Sequence, residues 1–177
     1  MSQRGEAIVL IGFMGSGKSS VGRALSARTG LQRYDTDEMI AARFGLPIAE
    51  IFAQHGEEVF REAETDSLEQ MPARAAIIVT GGGIVLRAEN VQRLRAFGRV
   101  INLVANEEIL FERAMRRKTR PLLRTENPRA TLTEMLRVRA PLYSETADVT
   151  IDTSALGHEA VTDRILGEMA AFRSHGN

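Results

Sequence analysis

The residues best able to do chemistry lie in a glycine-rich segment near the start of the chain. Residues 12–19 read GFMGSGKS and fit G-x-x-x-x-G-K followed by Ser or Thr, between an apolar run and a helical pattern. Glycines let the backbone turn tightly, so that its N–H groups and the helix start can surround an anionic phosphate. Lys18 can bridge the terminal phosphates of a nucleotide, and the Ser19 hydroxyl can bind Mg²⁺. The segment predicts nucleotide binding; the competing interpretation is a glycine-rich turn with a solvated lysine.

Two carboxylates follow the second predicted strand. Asp35 and Asp37 lie at its C-terminal end, at the sheet edge where the phosphate loop also lies. Residues two apart on an extended segment point the same way, so both can face one cleft, one toward Mg²⁺ and the other toward a substrate hydroxyl. Alternatively, Asp35 or Thr36 caps the next helix. The third predicted strand ends in Thr80 and three glycines, so it does not supply the carboxylate that many phosphate-loop proteins carry there.

Short apolar strands alternate with helical patterns along the chain. These elements must position the phosphate loop and the two carboxylates. Strands are predicted over residues 7–11, 31–34, 76–80, 100–104 and 149–152. Helices are predicted over residues 19–29, 36–44, 48–52, 57–70, 88–97, 107–117 (capped by Asn106), 131–145 (interrupted near Pro141) and 159–173. Because the strands are almost continuously apolar and helices separate them, the sequence predicts a three-layer α/β domain with a five-stranded parallel sheet. The strand order stays open.

Length and composition limit the possible functions. The chain has 177 residues, so we expect 1–177 to form a single domain. Its 23 basic and 23 acidic residues balance, which argues against a nucleic-acid or membrane surface along the whole chain. It has no cysteine, which excludes disulfides, thiolate zinc sites and cysteine nucleophiles, and its three histidines form no metal pattern. No apolar run approaches the ~20 residues of a membrane span, so we expect a soluble, cytoplasmic protein. No exposed apolar stripe that would require a partner is evident, so we expect a monomer.

Charge is balanced overall but separated along the chain. Residues 113–139 carry nine basic and two acidic side chains, whereas residues 35–69 carry ten acidic and two basic ones. A basic flap over a triphosphate fits a kinase, because it supplies charge in the transition state and excludes water. The alternatives are an exposed arginine-rich helix end, especially at Arg116 and Arg117, and RNA binding, which the lack of aromatic stacking partners disfavours.

Several motifs in the same order make the chain resemble the shikimate kinases over essentially its whole length. They are the phosphate loop at 12–19, YDTD at 34–37, F-x-x-x-G-E-x-x-F-R-x-x-E at 52–64, TGGG at 80–83, RPLL at 120–123 and R-x-x-x-Y-x-x-x-A at 139–147. The resemblance implies the P-loop kinase fold, with a substrate-binding segment at about 35–70 and a mobile lid at about 117–130. It also implies ATP- and Mg²⁺-dependent phosphorylation of the shikimate 3-hydroxyl in aromatic amino-acid biosynthesis, giving shikimate 3-phosphate and ADP.

The resemblance also assigns the substrate side of the site. It implies that Arg61 and Arg139 bind the shikimate carboxylate, which agrees with the match between a guanidinium fork and a carboxylate. Glu64, three residues after Arg61 on a predicted helix, can hold that side chain in place. It further implies that Gly82 lies against the substrate, and Gly81, Gly82 and Gly83 are all predicted substrate-binding residues. Asp37 is assigned to the reacting hydroxyl, and we favour an orienting role over that of a strong base, because phosphoryl transfer depends mainly on positioning and charge.

On the nucleotide side, the resemblance implies an ATP site with a lid arginine, Arg120, that reaches the transferring phosphate. Lys18 and Arg120 are the predicted catalytic cations. The remaining predicted ATP ligands are Gly15, Ser16, Gly17, Ser19, Ser20 and Arg113, with Ser19 and Asp35 around Mg²⁺. Arg113 is expected to stack on adenine beside the loop at residues 153–157. That loop reads TSALG and lacks the proline found in many relatives, so the base preference is less constrained than phosphate binding.

Two other functions compete with this one. A related sugar-acid kinase, such as gluconate kinase, shares the phosphate loop and an anionic polyol substrate, but would not be expected to combine G-E-x-x-F-R with three glycines. A non-catalytic nucleotide-binding regulator is disfavoured because the predicted catalytic and substrate-binding residues are intact.

Overall fold

Five strands and seven α-helices make up the part of the chain that the computed structural model describes, residues 5–72, 74–116 and 121–175. The strands are β1 (Ala7–Ile11), β2 (Arg33–Asp35), β3 (Ile77–Val79), β4 (Gly98–Val104) and β5 (Val149–Asp152). The helices are α1 (Lys18–Thr29), α2 (Thr36–Phe44), α3 (Ile48–Glu69), α4 (Ala88–Phe97), α5 (Glu107–Met115), α6 (Pro128–Thr146) and α7 (His158–His175). Short 3₁₀ turns cover Ile84–Leu86 and Pro121–Leu123.

The strands form one parallel sheet in the order β2-β3-β1-β4-β5. The central strand is β1, whose Val9 pairs with Ile78 of β3 on one side and with Val100 of β4 on the other. Because all strands run the same way, the phosphate loop after β1, the glycines after β3 and the carboxylates after β2 reach the same edge of the sheet. This order places the predicted functional segments next to one another.

Alternate residues of the sheet pack into two separate cores. On one face, Val9 and Ile11 join a cluster to which α4, α5 and α6 contribute Leu94, Leu110 and Leu132. On the other face, strand residues pack against apolar residues of α1 and α7, a cluster that contains Ile8, Leu10, Val21, Leu25, Val161 and Ile165. Helices on both faces of the sheet confirm the three-layer prediction.

A third, smaller cluster holds the segment after β2 together. Ile40 of α2 packs against Ile51, Phe60 and Ala63 of α3. The two helical segments expected on either side of Gly56 form one element, in which the backbone leaves the helical conformation at Gly56 (φ 81°, ψ 173°). A positive φ favours glycine, which explains the bend. Burial of these apolar side chains fixes how α3 faces the cleft.

The prediction of an interruption near Pro141 was wrong. Helix α6 continues through this proline, and it begins at Pro128, with the Asn127 side chain accepting a hydrogen bond from the N–H of Ala130. Proline removes one backbone hydrogen bond from a helix, but Arg139 and Tyr143, on either side of Pro141, are both buried. Their burial holds the helix together across the proline. No helix within the described ranges combines the length and the apolar character that crossing a membrane requires.

Candidate active site

The phosphate loop joins β1 to α1 in the conformation that its glycines permit. Gly15 (φ 83°) and Gly17 (φ 97°) adopt the left-handed region, which other residues rarely occupy. A side chain at Gly12 would overlap the carbonyl oxygen of Leu103 on the neighbouring strand β4. The Lys18 ammonium donates to the carbonyl oxygens of Gly12 (2.7 Å) and Phe13 (2.9 Å). The lysine therefore spans the loop, in position to move onto an anion.

A cavity of about 390 Å³ opens over this loop. It brings together most of the predicted ATP ligands: Gly15, Ser16, Gly17, Lys18, Ser19, Ser20 and Arg113. Arg113 donates to the carbonyl oxygen of Gly15 (3.4 Å), and to the hydroxyl and carbonyl oxygens of Thr153 (both 3.3 Å). The Thr153 hydroxyl in turn donates to the carbonyl oxygen of Ser16 (3.2 Å). These contacts tie the predicted base-binding loop to the phosphate loop.

Sequence reasoning missed two residues of this cavity. Arg116 is exposed at the end of α5, as one alternative predicts, and it also lines the cavity. His158, for which the sequence predicts no role, lines it too. Arg116 lies three residues after Arg113, on the same side of a helix, and that spacing was the available signal. His158 begins α7, and nothing in its local sequence indicates that α7 packs beside α1 at the cavity wall.

A second cavity, of about 360 Å³, contains the predicted substrate side. Asp35, Asp37, Gly81, Gly82, Gly83, Arg61 and Arg139 all line it. Apolar residues also line it and form an apolar wall: Pro47, Ile48, Phe52, Phe60 and Leu122. Ser19 lines both cavities, so the two spaces meet at the start of α1. The cleft can therefore hold a polyphosphate and a small anionic molecule side by side.

Arg61 is buried and held by two carboxylates of its own helix. It donates to Glu64 (2.6 Å) and Glu57 (2.8 Å), and its side chain is 8% exposed. The predicted contact with Glu64 is present; the contact with Glu57 was missed, although its i,i+4 spacing is a helical signal. Burial opposes the charged form, but Glu64 and Glu57 outweigh it and raise the pKa of the guanidinium. The site therefore keeps a fixed cation beside the substrate cavity.

The pKa of the Glu64 carboxyl is strongly perturbed. Its side chain is 1% exposed, and burial raises its pKa to about 7, with Asp37 adding to the rise while Arg61 and Arg139 oppose it. Its Oε1 has no hydrogen-bond partner among the described residues. Loss of water thus costs this carboxylate more than its ion pair with Arg61 returns.

The glycines after β3 are required by different neighbours. A Cβ at Gly81 would lie 2.6 Å from Asp37 Oδ1 and 2.7 Å from Glu64 Oε1, and one at Gly83 would overlap the Arg61 guanidinium. At Gly82, a Cβ would approach no described atom closer than 3.6 Å, and its φ lies outside the left-handed region. Among the described residues, only the cavity that Gly82 lines gives a reason for glycine there.

Tyr143 of α6 fixes the position of Gly82. Its hydroxyl donates to the Gly82 carbonyl oxygen, and the side chain is almost fully buried. Burial raises the pKa of the phenol to about 12, so the hydroxyl keeps the proton that it donates. Arg139 lies one turn earlier on the same helix and faces the same cavity. The R-x-x-x-Y spacing indicated a shared helical face, but not that the tyrosine would contact the glycine segment.

The carboxylates after β2 both cap and line the site. Asp35 Oδ1 accepts from the N–H groups of Asp37 (3.1 Å) and Glu38 (3.4 Å), which confirms the capping alternative for Asp35. Asp35 and Asp37 both line the substrate cavity, so capping does not remove Asp35 from the cleft. Burial raises the pKa of Asp35, as does Glu38, against the opposing hydrogen bonds and Arg33. The hydroxyl of Thr36 accepts from the Gly81 N–H (2.8 Å) and ties α2 to the glycine segment.

The donor set near the start of α1 suits a hard cation. Ser19 and Asp35 offer a hydroxyl and a carboxylate on one cavity, and Mg²⁺ is commonly held by one or two such oxygens together with phosphates and water. The described residues contain no cluster of three or more acidic or histidine side chains that would form an all-protein metal site. This arrangement fits a metal that arrives with a nucleotide.

The predicted lid is described only in part. Arg120 lies outside the described residues, as do residues 117–119. Pro121 and Leu122, which follow, reach the wall of the substrate cavity. The part of the predicted lid segment that directly follows residues 117–120 therefore borders the site.

Two solved structures resemble this chain to different extents. The chain matches a gluconokinase from Sinorhizobium meliloti with a TM-score of 0.60 at 20% identity, over 98% of this chain and 97% of that one. It matches a shikimate kinase from Acinetobacter baumannii, solved in complex with shikimate, with a TM-score of 0.89 at 36% identity over 94% of both chains. The first likeness shows a shared fold alone, whereas the second also extends to the sequence.

Sequence relatives point the same way. The shikimate kinase of Thermodesulfovibrio yellowstonii is 44% identical over 162 residues, which cover 91% of this chain and 93% of the relative. A shikimate kinase of Ralstonia nicotianae is 46% identical over 147 residues, covering 82% of this chain and 77% of the relative. The family model described as Shikimate kinase matches residues 14–170, which include both cavities' charged residues. The chain belongs to the shikimate kinase family.

Proposed function

We propose that this chain transfers the γ-phosphoryl group of ATP to the 3-hydroxyl of shikimate, giving shikimate 3-phosphate and ADP. The observation that carries the proposal is the pair of adjoining cavities. One is built on the phosphate loop, and the other is lined by two buried guanidinium groups together with Asp37 and the three glycines. Ser19 borders both, which supports transfer from one ligand to the other across a short distance.

The substrate cavity suits a small ring that carries one carboxylate and several hydroxyls. Arg61 and Arg139 are both more than 90% buried, so a carboxylate between them is recognised with little competition from water. The apolar wall of Ile48, Phe52 and Phe60 suits the non-polar face of a ring. The space in front of Gly82 lets a ligand approach the backbone closely. The A. baumannii relative, solved in complex with shikimate, supports this choice of ligand.

Asp37 is the acceptor that we assign to the reacting hydroxyl. It lines the substrate cavity beside Gly81, whose missing side chain leaves room for its carboxylate. A carboxylate that accepts the hydroxyl proton in a hydrogen bond fixes the direction of the oxygen lone pair toward the phosphate. Since phosphoryl transfer has a loose transition state, this orientation contributes more than strong basicity.

The phosphate side works through charge. Lys18 exchanges its loop carbonyl partners for the terminal phosphates, and the Arg113 side chain forms part of the base-binding end of the cavity. Ser19 and Asp35 are the residues that we assign to Mg²⁺. When bound, Mg²⁺ neutralises charge on the β- and γ-phosphates. Arg120 keeps its predicted role as the lid cation.

Gluconate phosphorylation is the competing activity within kinases, and the apolar wall argues against it. An open-chain polyol would leave hydroxyl groups against Phe52 and Phe60 without hydrogen-bond partners, which is costly. A non-catalytic regulator would have no use for the buried carboxylate-binding arginines. The single-domain organisation, the monomeric state and the cytoplasmic location remain predictions.

A coupled assay of ADP release tests the proposal. We expect release from Mg²⁺-ATP to depend on shikimate and to be negligible with gluconate. Lys18→Ala is the matched control and should abolish turnover, since it removes the cation that bridges the phosphates. Comparable turnover with gluconate, or shikimate-dependent release that survives Lys18→Ala, would show that the proposed chemistry is wrong.

A further inference from the structure

Arg33, at the start of β2, lies between two carboxylates, Asp35 and Glu38, that line the substrate cavity. Its guanidinium donates through Nη1 to Asp35 Oδ2 (3.2 Å) and through Nη2 to both oxygens of Glu38 (2.9 and 2.7 Å). Arg33 and Asp35 are two residues apart on a strand, so their side chains leave the same face. The Arg33 side chain is largely buried, whereas that of Glu38 is mostly exposed.

The two oxygens of Asp35 have different partners. Oδ1 accepts the N–H groups of Asp37 and Glu38 and so caps α2. Oδ2 receives Arg33, which makes it the oxygen that already faces a cation. Because a cap oxygen is held by the helix, Oδ2 is the oxygen that can turn toward a metal without ending the cap.

We propose that Arg33 occupies the metal-facing oxygen of Asp35 and lowers the affinity of the site for the divalent cation, and that Glu38 draws Arg33 aside when the cation binds. This inference rests on the proposed role of Asp35 at the metal. A guanidinium and Mg²⁺ repel each other when they share one carboxylate oxygen. Glu38 accepts Arg33 with both oxygens, so Arg33 can leave Asp35 and remain paired.

The proposal predicts opposite effects for the two partners. Binding of Mn²⁺ to the full chain saturated with ADP, followed by electron paramagnetic resonance of free Mn²⁺, reports affinity without turnover. Arg33→Gln should bind Mn²⁺ about three- to fivefold more tightly, and Glu38→Gln about two- to threefold more weakly, the size of effect measured for partly exposed charge pairs. Arg28→Gln is the matched control: it removes an arginine that pairs with Asp163 (2.9 Å) on α7, and affinity should not change.

A double variant separates a switch from simple charge. If Glu38 acts by holding Arg33, Glu38→Gln should have no further effect in the Arg33→Gln background, whereas through-space charge effects would add. Additive effects would therefore overturn the role of Glu38, and unchanged or weaker Mn²⁺ binding by Arg33→Gln would overturn that of Arg33.

Asp35→Asn tests the underlying assignment, since asparagine still caps a helix. Weaker Mn²⁺ binding by this variant supports the metal role. If instead it binds Mn²⁺ like the unchanged chain while shikimate phosphorylation persists, Asp35 is not at the metal and the proposal fails with that assignment, but the proposed reaction stands.

Discussion

Replacing Gly83 by alanine places a methyl group where the Arg61 guanidinium lies. A Cβ built on Gly83 overlaps Nη1 and Cζ of Arg61 and stands 2.7 Å from Nη2. The obstructing atoms are the end of a long side chain, so Arg61 moves rather than the backbone. Because Arg61 is buried and hydrogen-bonded to Glu64 and Glu57, any shift that clears the methyl group breaks at least part of this arrangement.

The size of the effect follows from the contact that is lost. A hydrogen bond to a charged group contributes about 1.5–3 kcal/mol, so loss of one guanidinium contact to the shikimate carboxylate should raise KM for shikimate about 10- to 150-fold. KM for ATP should stay within about twofold, because the phosphate loop is not touched. The free energy of unfolding should fall by about 1–3 kcal/mol, since the Glu64 carboxylate loses its buried partner.

The assay is ADP release with shikimate varied at saturating ATP and then ATP varied at saturating shikimate. Gly167→Ala in α7 is the control, because a side chain there meets no described atom within 4 Å. It should leave both KM values unchanged and stabilise the helix by about 0.5–1 kcal/mol. An unchanged KM for shikimate in Gly83→Ala, or an equal rise in both KM values, would refute the assignment of Arg61 to the substrate.

Three further predictions concern the same wall of the site. Gly82→Ala should leave the free energy of unfolding unchanged, because its Cβ meets no described atom closer than 3.6 Å. It should still raise KM for shikimate severalfold, because the methyl group would lie where the ligand approaches the backbone. An unchanged KM for shikimate would show that no ligand approaches Gly82. Tyr143→Phe should raise KM for shikimate about two- to tenfold, because it leaves the Gly82 carbonyl without its donor. Tyr34→Phe is the control: it removes a hydroxyl that accepts from Arg74, and KM should not change. Equal kinetics of the two variants would contradict the positioning role of Tyr143. The raised pKa of Glu64, about 7 against 4.5 for the free side chain, means that the folded state binds more protons than the unfolded chain between these values. The stability that this group contributes is fully present below pH 4.5 and is lost as the pH rises through 7. We therefore expect the free energy of unfolding of the unchanged chain, measured with urea and compared with that of Glu64→Gln, to fall by about 3 kcal/mol between these pH values. If the two variants instead show parallel pH curves, the raised pKa of Glu64 is contradicted.

Local sequence was enough for the parts of the site whose members lie close in the chain. The phosphate loop follows a strand and starts a helix, because glycine and lysine spacing defines a local backbone shape. Asp35 and Asp37 reach one cavity because they sit two residues apart at a strand end. Arg61 contacts Glu64 because residues three apart on a helix are neighbours. In each case the interacting groups are within one turn or one strand repeat, so their geometry follows from the element alone.

Tertiary structure decided which of these local groups share a cleft. The order β2-β3-β1-β4-β5 sets the carboxylates, the glycines and the phosphate loop side by side, and periodicity carries no information about strand order. Tyr143 meets Gly82 across 61 residues, α6 continues through Pro141, and His158 reaches the nucleotide cavity through the packing of α7 against α1. These outcomes depend on how apolar faces from distant segments are buried together, and that burial energy belongs to the assembled fold rather than to any single segment.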